Sequence, residues 1–227
     1  MDAPAFSERA RVMYDRMYAH VQTSKRYVSR PAKTVESPEW GYETSASIDA
    51  VAGQSGYRLY RNYSTIPNVH LIGYNHDSID KTVSFLETLA LQGTFEECAF
   101  LAEGFDEQAK QGKLAPLTNS QLRGLFKKYR LSPKGRDSSQ LRERQYAFLD
   151  QINTAKSEEE RRAKVHLAME CLIRRERDYF VPAVLEEQDR PIIFLTDMIH
   201  VLSFSLPQML NNKNMKPAIF VPQYQRK

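Results

Sequence analysis

Apolar residues recur along this chain in two rhythms. Met13, Met17 and Val21 fall four apart within residues 6–22, which predicts an amphipathic helix packed on the body of the protein. Residues 30–64 break that rhythm with Pro31, Pro38, Gly41, Gly53 and Gly56, and are expected to be irregular, a flap or a β-hairpin. Within them, 57–63 mixes aromatic and charged residues as a half-exposed strand does. From Asn68 onward short apolar runs alternate with helical periodicity. Residues 69–73 read as a buried strand, and Ile79, Val83, Leu86 and Ala90 then mark one helical face. Asp77 and Asp80 have the look of a capping pair at that helix start. A second strand is expected at 98–102, helices at 119–130 and 138–155, and a long helix over 158–187 bent near Pro182, which lacks the N–H the ladder needs. A strand at 191–196, a helix at 203–210 and a last strand at 218–221 complete the pattern.

Strands separated by helices imply an α/β fold with a mostly parallel central sheet covered on both faces. The expectation is a single domain, with residues 1–67 an N-terminal helix and irregular or β-hairpin extension and 68–227 the α/β core. Length agrees, because 227 residues, 41% of them apolar and 26% charged, suit one large domain.

Composition then removes several function classes. The nine glycines, at 41, 53, 56, 73, 93, 104, 112, 124 and 135, form no phosphate-cradling G-x-G-x-x-G or G-x-x-x-x-G-K-[ST] loop, so dinucleotide and P-loop sites are not expected. The nearest approach to a serine-hydrolase elbow, Gly53-Gln54-Ser55-Gly56-Tyr57, ends on Tyr and follows no strand, which fails the sharp strand-turn-helix requirement. No apolar run approaches the ~20 residues of a membrane span. The first residues lack a basic segment followed by an apolar one, so no secretory signal is expected and the cytoplasm is the expected location, or, for a secreted effector, export outside the general secretory route. Cys98 and Cys171, without C-x-x-C spacing, are expected to be buried and inert.

Charge adds little. Thirty-two bases against 28 acids leave a net +4, a slight bias toward a polyanionic partner. Lys127, Lys128, Arg130, Lys134 and Arg136, interleaved with Tyr129 and Pro133, read either as a solvated helix end or as a nucleic-acid contact in which the cations meet phosphates and the ring stacks on a base.

The chemistry gathers at the strand ends, where ligands of such sheets bind. Gly73-Tyr74-Asn75-His76 follows the first core strand, Glu103-Gly104 the second and Asp197-Met198-Ile199-His200 the third. Two imidazoles and a carboxylate converging there can supply three ligands to a divalent metal and leave positions for water and substrate. Each also has a structural reading, the histidines as hydrogen-bonded strand-end residues and Glu103 as a cap. On the long helix, Arg177 stands four residues from both Ile173 and Val181, and is expected either in an ion pair or as a clamp for an anionic group or developing oxyanion. His70 and His166 are expected to be structural, His20 superficial.

In order, these segments resemble the TraB/PrgY superfamily, which includes Tiki-like proteases, erythromycin-esterase-like proteins and ChaN-like haem-binding proteins. The resemblance covers residues 68–221. It rests on Gly73 to His76, Glu103, Glu176-Arg177-Asp178 and the block from Pro191 through His200 to Leu206-Pro207-Gln208-Met209-Leu210. One position departs from the pattern, since Asp197 stands where the family's second G-x-x-H motif has Gly.

What the resemblance implies is a metal-dependent hydrolase of peptide or ester bonds. His76, Glu103 and His200 would hold the metal, Glu103 and Arg177 would be catalytic, and Tyr74, Asn75 and Asp197 would contact a peptide or small-molecule substrate. The alternative on the same fold is a non-catalytic binder of haem or another small ligand, with Tyr74, Met198 and the histidines as haem neighbours. An effector or nucleic-acid-binding module built on the 127–136 cluster is a third.

Overall fold

The computed structural model describes residues 40–63, 67–74, 79–104, 120–152, 154–202 and 205–223, with the backbone alone at 40–45. The helix expected over 6–22, His20, Asp77 and the motif residues Asn75 and His76 lie outside them.

The elements run α1 (Trp40–Gln54), β1 (Tyr57–Asn62), β2 (Val69–Tyr74), α2 (Ile79–Leu91), α3 (Thr94–Glu97), β3 (Ala99–Ala102), α4 (Ser120–Lys128), α5 (Ser139–Ile152) and α6 (Glu158–Arg175). One π-helical turn (Glu176–Phe180) leads into α7 (Val181–Glu186), then β4 (Ile192–Asp197), α8 (Met198–Leu202), α9 (Ser205–Asn212) and β5 (Pro217–Pro222). The five strands form one sheet in the order β1-β5-β2-β4-β3. The four strands after β1 are parallel, and β1 pairs antiparallel with β5 at the edge. This is the single-domain α/β architecture that the alternating pattern implies.

Both faces of the sheet are dry, which is why the core strands are continuous apolar runs. On β4, Ile193 and Leu195 join Phe85, Leu86, Phe100 and Phe126 on one face, while Ile192 and Phe194 meet Phe180, Val184, Leu206 and Leu210 on the other. His70 lies within this core, its Nδ1 3.3 Å from the Ile192 carbonyl, and burial pulls it down to about 4, so it is a neutral structural histidine as expected. His166, expected to be structural, stands exposed on α6. Cys98 and Cys171 are buried free thiols, and burial pushes Cys98 up to about 12.

Three regions differ from expectation. The stretch read as irregular holds α1, whose Ile48, Val51 and Ala52 enter the core; Gly41 and Gly53 lie near the two ends of this helix, and tertiary burial outweighs their cost. The predicted half-exposed strand is present as β1, but it extends the sheet instead of forming a flap or hairpin. The long helix is not bent at Pro182 itself. The interruption is the π-turn just before it, where Val181 N–H bonds back to the Glu176 carbonyl; the extra residue accommodates the proline that follows and rotates the helix by an added step.

The segment after α4 runs beside β3, with Ala102 N–H donating to the Lys134 carbonyl at 2.9 Å and Lys134 N–H to Phe100 at 2.8 Å. It covers that sheet edge and delivers Asp137 to the carboxyl ends of the strands. Among the described residues no helix is long and apolar enough to cross a membrane.

Candidate functional site

Glu103 follows directly on β3, in a turn completed by Gly104 at φ +83°, a left-handed conformation that glycine adopts without Cβ strain. Its N–H donates to the Leu195 carbonyl at 2.9 Å, so the side chain is held over the end of β4. There Oε2 accepts from Thr196 Oγ1 at 2.9 Å and from the Asp197 N–H at 2.7 Å, and Oε1 accepts from Arg175 Nη2 at 2.6 Å.

His200 is brought to the same place by α8. Asp197 Oδ1 accepts from the Ile199 N–H at 3.0 Å, which caps this short helix. The helix packs so closely on β2 that a Cβ on Gly73 would stand 2.7 Å from Val201 and 3.2 Å from Met198. Glycine at the end of β2 thus makes room for the helix that carries His200. The fully buried imidazole lies edge-on to Phe180, centroids 4.9 Å apart. Its Nδ1 is 2.8 Å from Glu176 Oε1 and its Nε2 is 3.4 Å from Glu103 Oε1. Two carboxylates therefore bracket one ring.

The π-turn decides where the long helix contributes. Arg175 and Glu176 are adjacent in sequence and both fully buried, yet they serve different partners. Arg175 reaches Glu103 with Nη2 and also grips Asp137, Nε to Oδ1 at 2.9 Å and Nη2 to Oδ2 at 2.8 Å, while Nη1 donates to Gln145 at 3.0 Å. Arg142 adds a further bond to Asp137 Oδ2 at 2.8 Å. Glu176 turns to His200 with one oxygen and accepts the Ser205 hydroxyl proton with the other.

The electrostatics follow from this packing. Burial alone would raise the Glu103 carboxyl, but the His200 and Arg175 charges and the Asp197 N–H hold it well below the usual range. Burial would likewise depress His200; the charges and bonds of Glu103 and Glu176 overcome it and push the ring up to about 9. The basic side chains of His200, Arg175 and Arg142 thus stand against the carboxyl groups of Glu103, Glu176 and Asp137. Asp197 behaves differently, since burial raises it to about 6 against the pull of the Ile199 N–H and the His200 charge.

Of the residues singled out in the sequence, Glu103, His200 and Asp197 are together here. Tyr74 ends β2 directly opposite Asp197 in register; burial raises its hydroxyl, and Glu103 adds to that shift. Arg177 is not in the cluster. Its side chain is 61% exposed and pairs with neighbouring Asp178 at 2.6 Å, on the side of the helix where Ile173, four residues earlier, is also exposed. The apolar stripe that sequence spacing assigns to it belongs to Arg175, which continues Ala168, Cys171 and Leu172, all buried. That stripe was a legible signal for Arg175; Glu176 is marked only by its place in the Glu176-Arg177-Asp178 segment, and nothing comparable marks Asp137, Thr196 or Ser205.

The expected metal finds limited support in these donors. Among the described residues no group of three His, Cys, Asp or Glu side chains is placed to hold an ion. Both Glu103 oxygens are already engaged, and the His200 ring sits in imidazolium surroundings, whereas metal ligation requires it neutral. Met198, named as a haem neighbour, is buried against Gly73. In the basic cluster, Lys128 pairs with Glu87 at 2.7 Å, Lys134 with Glu187 at 2.6 Å and Arg136 with Glu186 at 2.8 Å, which leaves its field largely compensated.

No protein-family model, no curated protein and no solved structure matches the chain.

Proposed function

We propose that the protein is a hydrolase of ester or peptide bonds, as its resemblance to the TraB/PrgY superfamily implies, working through Glu103, Glu176 and His200 at the carboxyl ends of β3 and β4. The observation that carries this reading is the buried imidazole bracketed by two carboxylates. Buried ion pairs stabilise a fold poorly, since desolvation cancels much of their attraction. Six charged groups concentrated where α/β sheets bind ligands are therefore better understood as machinery.

Each group has a role that its surroundings support. Glu176 fixes the ring's orientation and stabilises its charge through Nδ1, as carboxylates do for catalytic histidines. Glu103 faces Nε2 and stays ionised because Arg175 and the Asp197 N–H stabilise its charge. Together they form a proton-carrying set in a low-dielectric site, where general acid–base groups are most effective. Tyr74 and Asp197, half-buried at the ends of β2 and β4, would meet substrate. A divalent ion would add Lewis acidity, and His76 with Glu103 and His200 would be its holders on the family pattern.

The test is hydrolysis of a panel of p-nitrophenyl esters and fluorogenic peptides by the full chain, before and after chelation. His200→Asn and Glu103→Gln are each expected to lower turnover about 100-fold or more, with the fold intact by circular dichroism. Turnover unchanged in both variants would remove the reading. Activity lost on chelation and restored by a divalent ion would instead favour the metal-dependent version.

A further inference from the structure

We propose that Ser205 is the nucleophile of this site, accepting the acyl group of an ester or amide substrate, with Glu176 as its base. The proposal rests on the hydrolase reading above and adds to it a covalent step and a residue.

Ser205 is the first described residue of α9, and the residue as a whole is half-buried, at the edge of the cluster and not in its interior. The Glu176 carboxylate behind it is fully buried. Ser205 Oγ donates to Glu176 Oε2, and Glu176 Oε1 is held by His200 Nδ1 at 2.8 Å. Nucleophile, base and a third group that orients the base are the three parts of an activated serine, whatever the residue types. Other serines are used differently. The Ser138 and Ser157 hydroxyls accept from backbone N–H groups at helix starts, and Ser47 donates to the Gln92 amide. Ser205 places its proton on a carboxylate whose remaining oxygen is occupied, the arrangement that proton removal needs.

The step balances without any further reactant. Ser205 Oγ attacks the substrate carbonyl carbon as its proton passes to Glu176 Oε2. The tetrahedral adduct collapses, the bond to the leaving oxygen or nitrogen breaks, and Glu176 returns the proton to that leaving atom. Water then attacks the Ser205 ester, giving its proton to Glu176, and the acid is released as the proton goes back to Ser205 Oγ. His200 remains bonded to Oε1 throughout and is a positioning residue in this sequence.

The experiment treats the full chain with p-nitrophenyl acetate, quenches it in acid, and finds any acetyl group by peptide mass mapping, alongside steady-state release of p-nitrophenol. Acetyl on Ser205 is expected, absent in Ser205→Ala, and formed at least about 100-fold more slowly in Glu176→Gln, which keeps the serine hydroxyl. Ser84→Ala, at an exposed position on α2, should behave as the wild type. Undiminished turnover in Ser205→Ala with no acetyl on Ser205 would overturn the proposal and leave the hydrolase reading standing. Stable acetyl on Ser205 without turnover would support the nucleophile and sink the hydrolase reading. Neither acetylation nor turnover would overturn both.

Discussion

Arg175 Nη2 lies 2.6 Å from Glu103 Oε1, joining the end of the long helix to the end of β3 across 72 residues of sequence, with both side chains buried. This contact ties the helical hairpin of α5 and α6 to the sheet edge, because Arg175 simultaneously holds Asp137 and Gln145.

Arg175→Met should therefore destabilise the protein by about 3–5 kcal/mol, since it strands the Glu103 and Asp137 carboxylates without their cation. Arg177→Ala, two residues on, removes an exposed pair with Asp178 and should cost less than about 1 kcal/mol. Urea unfolding of the two variants measures the contrast directly. Equal effects would contradict the assignment of the buried role to Arg175.

Stability should fall on the alkaline side. His200 is raised to about 9 from 6.5, so the folded protein binds this proton more tightly than the unfolded chain. Its contribution is complete below about pH 6.5 and is lost as pH rises through about 9, a loss on the order of 2 kcal/mol or more. Glu103 is shifted the other way, and its contribution is lost only in acid, below the ordinary carboxylate range. Unfolding midpoints between pH 7 and 10 should decline in the wild type and much less in His200→Asn.

Asp197 carries an opposite signature. Its carboxyl is raised to about 6 from 3.8 by burial, so ionising it in the folded state costs free energy that protonation avoids. Asp197→Asn keeps an oxygen for the Ile199 N–H and removes that cost. Relative to wild type the variant should gain about 1 kcal/mol or more as pH is raised from 4 to 7. A difference that does not change with pH would argue against a buried, raised carboxyl.

Gly73→Ala tests the packing that delivers His200. The added methyl would meet Val201 Cγ2 at 2.7 Å, and overpacking of this kind costs about 1–3 kcal/mol. Val201→Ala removes the opposing methyls, so the double variant should be more stable than the sum of the two single losses predicts, by at least about 0.5 kcal/mol. Simple additivity would place α8 elsewhere.

Local pattern and site differ in how far they can be read from the chain. Strands β2, β3, β4 and β5 announce themselves because a strand buried on both faces must be apolar throughout, as in Pro191-Ile192-Ile193-Phe194-Leu195. Their parallel pairing follows from the helices between them. Glu103 and His200 were also legible, because polar residues just past such strands are bound to stand at one sheet edge. The close approach of α8 to Gly73 was not legible, because Val201 and Met198 lie over 120 residues further along the chain.

What the sequence by itself determined was the alternation of elements, the parallel sheet and two of the residues at its edge, all consequences of short-range periodicity and burial. Only the tertiary structure decided that Glu176 and Glu103 share one imidazole, that Asp137 pairs with Arg175 and that Ser205 meets Glu176. The physical reason is separation along the chain: His200 stands 24 residues from Glu176 and Arg175 stands 38 from Asp137. Spacing at 3.6 residues per turn reports which face of a helix is buried, and not which side chain of another element that face meets.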